Sequence, residues 1–395
     1  MLRPGSLALT TLLAMLSGLG PLSMDMYLPS LPSIAQVLEA PTARVQLTIS
    51  SYLIGFAVGQ VIYGPLSDRY GRRPVLLGAL AFYAAATLIC AATQSIDTLI
   101  AARFVQALGG SGAIVMTRAI VRDMHSGARA GHELSLQGTI MALAPIVAPM
   151  IGGVLQTGFG WRASFILLFV IAAIALAVVG RLLPETLERA SDPISVASLA
   201  KSYGAVARHR GFLAYLAILT ASYTGLLAWV SGASVVLQEV YGLTAAAFGF
   251  TFAFASAGYL VGTALAIRLV MRSGLDRTIG LGTVLLALGG LGLAAAVAAG
   301  SGGVWLVAAM AVYLAGLGLS MPQAMAGALT PFPRRAGTAS SLMGVVQQSI
   351  AAATAAIIGG HLVNSAWPVA GVVAVMGCLA FLCWALTRRL RAFER

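Results

Sequence analysis

Long, nearly uncharged apolar runs recur along this chain. Twelve can be counted, at about 8–28, 44–64, 75–93, 99–121, 132–155, 163–183, 212–237, 245–268, 278–298, 303–326, 338–360 and 367–387. A helix of roughly 20 apolar residues spans a hydrocarbon core of about 30 Å. One such run is compatible with a buried helix of a soluble domain; a dozen in series is not. The chain is 59% hydrophobic and 9% charged, where soluble domains carry about 25% charged residues. A membrane barrel would need short strands of alternating polarity. These runs are continuous, so each satisfies its own backbone as a helix. The pattern predicts an all-α polytopic membrane protein.

The net charge of +12, from 24 Lys and Arg against 12 Asp and Glu, sits mostly between the runs. It therefore reads as a topology signal and not as a nucleic-acid surface. Alternate connectors hold Arg69, Arg72 and Arg73; Arg122 and Arg129; Arg189, Lys201, Arg208 and Arg210; Arg272 and Arg277; and Arg334 and Arg335. The tail adds Arg388, Arg389, Arg391 and Arg395, while the intervening connectors hold little beyond Arg44 and Arg162. Both termini are therefore expected on the cytoplasmic side. Cys90, Cys378 and Cys383 lie inside apolar runs, an arrangement that argues against a disulfide framework. With four scattered histidines they build no metal site, and no Walker A loop is present. No cofactor is expected. The first run lacks an obvious cleavage site and reads as a retained helix.

The longest polar stretch, about 184–211, divides the runs into two sets of six. The expected organisation is a six-helix bundle at 1–183, a central cytoplasmic loop at 184–211, and a second bundle with a short tail at 212–395. Two such halves can rock about a central site, and since both are present the simplest working unit is a monomer in the lipid bilayer.

Polar residues inside the runs are the functional candidates. Asp25 lies deep in the first run. A carboxylate at such depth costs roughly 2.5–3.5 kcal/mol, so it should face protein or water and is a candidate proton site. Arg103 and Gln106 share one face of the fourth run. Arg103 cannot readily lose its charge, and Asp25 is its expected partner. Glu133 opens the fifth run, as an N-terminal cap or a second protonation site. Further along that run, Pro145 and Pro149 remove backbone donors, and Gly152 and Gly153 permit close packing. In the second half Tyr223, Trp229, Tyr259, Gln323 and Gln347, with Tyr27 and Gln106 in the first, are candidates for holding a planar amphipathic compound through aromatic area and neutral amides.

The connector after the second run reads Gly64-Pro-Leu-Ser-Asp68-Arg69-Tyr-Gly71-Arg72-Arg73-Pro74. Gly64 and Gly71 allow close approach and a tight turn. Asp68 can cap the next element or pair with an arginine. Together they suggest a clasp favouring one arrangement of the halves. Arg118, near the inner end of the fourth run, caps its helix or touches the central loop. Arg334 and Arg335, between runs ten and eleven, suit an inner gate.

That connector resembles the signature loop of the major facilitator superfamily. Ser23-Met-Asp25-Met-Tyr27-Leu-Pro29-Ser-Leu-Pro32 resembles the first-helix signature of its Bcr/CflA group of bicyclomycin- and chloramphenicol-type exporters. Arg103-Phe-Val-Gln106 is similar to an Arg-x-x-Gln-Gly motif, with Ala107 where glycine is usual. Ala144-Pro145-Ile-Val-Ala148-Pro149-Met-Ile-Gly152-Gly153 is similar to the antiporter signature, with Ala148 replacing a glycine. The resemblance implies twelve helices in two pseudo-symmetric bundles and a drug:proton antiporter of a bacterial inner membrane, not an enzyme. It implies proton coupling through Asp25 and Arg103, with Glu133 kept as a candidate from its position alone. It implies gating by Gly64, Asp68, Arg69, Gly71, Arg72, Arg73, Pro145, Pro149, Gly152, Gly153, Arg334 and Arg335, with Arg118 a further candidate from its position. The implied cargo is a small amphipathic antibiotic; proton-coupled movement of an endogenous metabolite is the alternative.

Overall fold

The computed structural model describes residues 7–124, 127–187, 203–332, 336–361 and 365–391, with side chains for all of these except Leu7, Arg122, Ala336 and residues 127–142. Arg334, Arg335 and the side chain of Glu133 fall outside the described residues. Among the described residues there is helix and no strand. The long helices in chain order are α1 (Leu7–Asp25), α2 (Thr42–Tyr70), α3 (Arg72–Ala92), α4 (Ile96–Met124), α5 (Gly127–Phe159) and α6 (Arg162–Leu182). They continue with α7 (Arg210–Val235), α8 (Ala245–Ser273), α9 (Leu275–Ala298), α10 (Gly303–Leu329), α11 (Ala336–His361) and α12 (Trp367–Leu386). Among the described residues, 10 helices are long and apolar enough to cross a membrane. The fold is the all-α polytopic one expected.

The chain divides into two compact units, Met1–Ile194 and Ser195–Arg395. Inside the first, α1 packs on α4, α5 and α6, α2 on α4, and α3 on α4 and α6. Inside the second, α7 packs on α10, α11 and α12, α8 on α10, and α9 on α10 and α12. Each pairing of the first unit recurs in the second six helices later. The cores follow the same plan. Leu16, Leu76, Ile120 and Val179 belong to one buried cluster, and Phe212, Ile218, Ile279 and Ala328 to another.

Small residues set two of these crossings. Gly55 and Gly59, four apart on α2, meet Phe104 O and the Ser111 side chain of α4. Gly258 and Gly262, four apart on α8, meet Ala311 O and Ala315 O of α10. A β-carbon at any of the four would overlap those atoms, so glycine allows backbone to touch backbone.

One expectation fails locally. The second run does not end near residue 64; α2 continues to Tyr70 with Pro65 inside it. Gly64 is therefore helical, and nothing lies within 4 Å of where its β-carbon would be. It makes no close approach. The turn is confined to Gly71, with φ of 98°, the left-handed region where a side chain is strained. Gly274, with φ of 80°, joins α8 to α9 in the same way.

Candidate functional site

Helix α1 stops at Asp25, is followed by a short turn, and resumes as a 3-10 segment at Leu28–Ser30. Pro29, which has no N–H and restrains the residue before it, explains why the α-helix cannot run on. A helix end leaves carbonyls without internal donors. Two side chains and one glycine attend to them here. Arg103 Nη1 donates to Ser23 O at 3.1 Å. Ser164 Oγ donates to Met26 O at 3.4 Å, and Gly152 of α5 packs directly on that same oxygen. Asp25 lies between these two anchored carbonyls. It is 7% exposed, and no hydrogen bond or ion pair holds its carboxyl among the described residues.

The expected Asp25–Arg103 ion pair is not formed. Arg103 is fully buried. Its Cζ lies 4.2 Å from the Tyr52 ring centre, 4.6 Å from that of Tyr27 and 5.9 Å from that of Phe165. Nη1 also donates to Gln106 Oε1 at 2.6 Å. Gln106 Nε2 in turn donates to Thr87 Oγ1 at 2.8 Å. Aromatic faces, an amide and a helix-end carbonyl thus spread the charge. Its Nε and Nη2 have no acceptor among the described residues. Ser23 Oγ and Tyr83 OH share a hydrogen bond of 2.5 Å, and Tyr27 OH shares one of 2.8 Å with Thr48 Oγ1. Tyr27 and Gln106, expected against substrate, are both buried in this network. Tyr52, Tyr83, Thr87, Ser164 and Phe165 were not singled out from the sequence. The signal was Arg103 itself, because a buried guanidinium requires acceptors and flat faces around it.

The Gly71 turn forms a second polar cluster. Arg72 Nη1 donates to Asp68 Oδ1 at 2.5 Å and to Ser67 Oγ at 2.7 Å, and its Nε donates to Asp123 Oδ2 at 2.9 Å. Asp68 therefore pairs with an arginine, as one of its expected roles required. Glu185, just beyond α6, accepts from the backbone N–H of Arg72 at 2.9 Å and of Arg73 at 3.1 Å. It occupies the N-terminal end of α3, where a negative charge is favoured. Burial raises the Glu185 pKa, but the N–H groups of Leu187, Arg72, Arg73 and Thr186 outweigh it, leaving the carboxyl below its ordinary 4.5. Arg73 Nη2 donates to Gly180 O at 2.5 Å. Arg69 and Arg118 are exposed; the Arg69 guanidinium lies 5.3 Å from the Tyr70 ring centre. Asp123 and Glu185 were missed as partners, although each is an acid at the end of an apolar run on the arginine-rich side.

On α5, Pro145 is half-buried while Pro149, Gly152 and Gly153 are buried; the helix continues through both prolines. In the second unit Tyr223 OH donates to Gln348 Oε1 at 3.4 Å. Trp229 is 1% exposed, with no acceptor for its indole N–H among the described residues. Tyr259, Gln323 and Gln347 are half-buried.

Residues 13–355 match the family model described as Major Facilitator Superfamily. The chain is 31% identical to multidrug resistance protein D of Escherichia coli over 388 residues, covering 97% of this chain and 96% of that one. It is 29% identical to the bicyclomycin resistance protein homolog of Haemophilus influenzae over 373 residues, covering 93% and 94%. Among solved structures, a D-xylose–proton symporter superposes with a TM-score of 0.74 over 96% of this chain and 97% of that one, at 17% identity. The bundle of apolar helices, the Gly71 turn with its Arg72 cluster, and the framed acid of α1 thus belong to a multi-pass membrane transporter of the Major Facilitator Superfamily, in its Bcr/CflA-like branch.

Proposed function

We propose that this chain is a proton-coupled exporter of small amphipathic compounds, of the bicyclomycin or phenicol kind, working by alternating access. The names of its relatives support the cargo class. The observation that carries the coupling is Asp25, a buried acid at a helix end with no fixed counter-ion among the described residues. An acid held by a strong ion pair would stay ionised; one without such a pair can take up and release a proton when hydration changes. Arg103 fixes the helix end that presents it, and Glu133 is a second candidate for the same cycle.

In this reading Tyr27 and Gln106 support the first-unit side of the substrate route. Tyr223, Trp229, Tyr259, Gln323 and Gln347 offer the compound aromatic area and neutral amides. The cluster of Asp68, Arg69, Gly71, Arg72 and Arg73 holds one arrangement of the units, with Gly64, Arg118, Pro145, Pro149, Gly152, Gly153, Arg334 and Arg335 contributing to the gates. The bundles are 1–183 and 212–395, joined by a cytoplasmic loop at 184–211. Both termini face the cytoplasm of a bacterial inner membrane, and one chain suffices for transport.

The test uses inverted membrane vesicles and a panel of bicyclomycin-like and phenicol compounds. Uptake driven by an imposed proton gradient is expected for the natural chain and not for Asp25→Asn. Undiminished gradient-driven uptake by Asp25→Asn rules out Asp25 as the coupling acid. Counterflow with cell metabolites but no drug would replace the cargo.

A further inference from the structure

We infer that the second unit carries a binding site for an anionic phospholipid, in a cleft between the start of α7 and the end of α12. The inference rests on the orientation proposed above, which puts this cleft at the cytoplasmic leaflet. The cleft has a volume of about 430 Å³ and is lined by Arg210, Leu213, Ala214, Ala217, Thr387 and Leu390. Its walls are Leu213, Ala214 and Ala217 on α7 and Leu390 on the short turn that follows α12. Arg210, at one end, is exposed.

The chain builds this shape deliberately at one point. Beyond α12, Arg388–Arg391 forms one helical turn. Its last residue is 4% exposed and is held on three sides. Arg391 Nε donates to Asp276 Oδ1 at 2.9 Å, Nη2 donates to Trp384 O at 2.7 Å, and Nη1 donates to Thr387 Oγ1. Trp384 Nε1 donates to Asp276 O at 3.1 Å. These bonds pin the turn, so that Leu390 lies along the start of α7, where its carbonyl approaches Gly211. With Arg391 turned inward, Arg388 and Arg389 remain exposed beside Leu390.

The result is an apolar cleft with Arg210 at its rim and two further exposed arginines, Arg388 and Arg389, on the adjoining turn. A water-soluble anion would leave Leu213 and Leu390 facing water. A zwitterionic lipid would fill the cleft but gain little from the arginines. An anionic phospholipid satisfies both parts, its chain in the cleft and its phosphate among the arginines.

Native mass spectrometry of the detergent-purified full chain provides the test, with phosphatidylglycerol, phosphatidylcholine and glycerol phosphate as probes. The natural chain is expected to retain phosphatidylglycerol over phosphatidylcholine. Retention should fall about fivefold for each of Arg210→Gln, Arg388→Gln and Arg389→Gln, from the usual contribution of a basic residue near an anionic headgroup. Ala217→Trp, which fills the cleft and keeps the arginines, should reduce it too. Equal retention of phosphatidylcholine, unchanged binding in all four variants, or displacement by glycerol phosphate would each overturn the site. Each variant is checked for monodispersity, so that loss by misfolding is recognised in one and tested in the others. The readout needs no transport, so failure of the exporter reading leaves it standing. An epitope tag on the C-terminus, reached from outside intact cells, would overturn the orientation and not the binding.

Discussion

Arg103 Nη1 donates to the carbonyl oxygen of Ser23 at 3.1 Å, two residues before the end of α1. The arginine therefore acts on the helix that carries Asp25 and not on the carboxyl. Lysine keeps the charge but cannot stack flat on Tyr52 and Tyr27 while serving both Ser23 O and Gln106. Arg103→Lys is expected to lower stability by about 2 kcal/mol, the scale of one charge-assisted hydrogen bond or a desolvated cation–π contact. Gradient-driven transport should fall at least about tenfold, one decade for roughly 1.4 kcal/mol. Thermal melting in detergent and vesicle uptake measure the two effects.

The glycines of α2 and α8 separate packing from mere flexibility. Gly262→Val puts a side chain against Ala315 O and should destabilise by about 1–3 kcal/mol, as overpacking does. Gly64→Ala meets nothing within 4 Å and should stabilise α2 by about 0.5–1 kcal/mol. Fluorescence-detected size exclusion after heating distinguishes them. Equal losses would remove the assigned difference between these positions.

Arg72 serves two acids of unequal burial. The Asp123 side chain is 21% exposed and that of Asp68 is 34% exposed. A double-mutant cycle with Arg72→Gln should give a larger coupling to Asp123→Asn than to Asp68→Asn. The second is expected near 0.5 kcal/mol, as for an exposed i,i+4 pair. Reversed magnitudes would make the local pair the principal one.

Glu185 gives the α3 cap a pH dependence. Its folded pKa lies below the ordinary 4.5. Folding therefore favours the ionised form, and the stabilisation is complete above the ordinary value and disappears as pH falls through the lower folded one. Melting temperature should drop on acidification across that interval. Glu185→Gln should melt lower at neutral pH and show a flatter profile there. An unchanged profile in the variant would assign the acid sensitivity elsewhere.

The helical bundle was legible because each run of apolar residues carries its own length and polarity. The cationic centre was half legible: Arg103 and Gln106 fall on one face by spacing, but the rings that receive the guanidinium come from Tyr27 in the turn after α1, Tyr52 on α2 and Phe165 on α6. No local pattern brings those together. The Asp25 pairing was misjudged for the same reason. Opposite charges suggested attraction, while the protein satisfied the arginine with neutral groups. Gly64 was misplaced because the second run was ended near residue 64, whereas the helix continues through Pro65 to Tyr70. Asp68 and Gly71 were legible because a four-residue ion pair and a left-handed turn are local events.

The repeated pairings within each unit have a consequence for how the molecule fails. Every strong helix crossing noted above closes inside its own set of six, and each set has its own oily interior. Damage to one crossing therefore acts first on the unit that holds it. A lesion at Gly262 should loosen the second framework while the first stays intact, and heating that variant should produce two separate steps where the natural chain gives one broader loss.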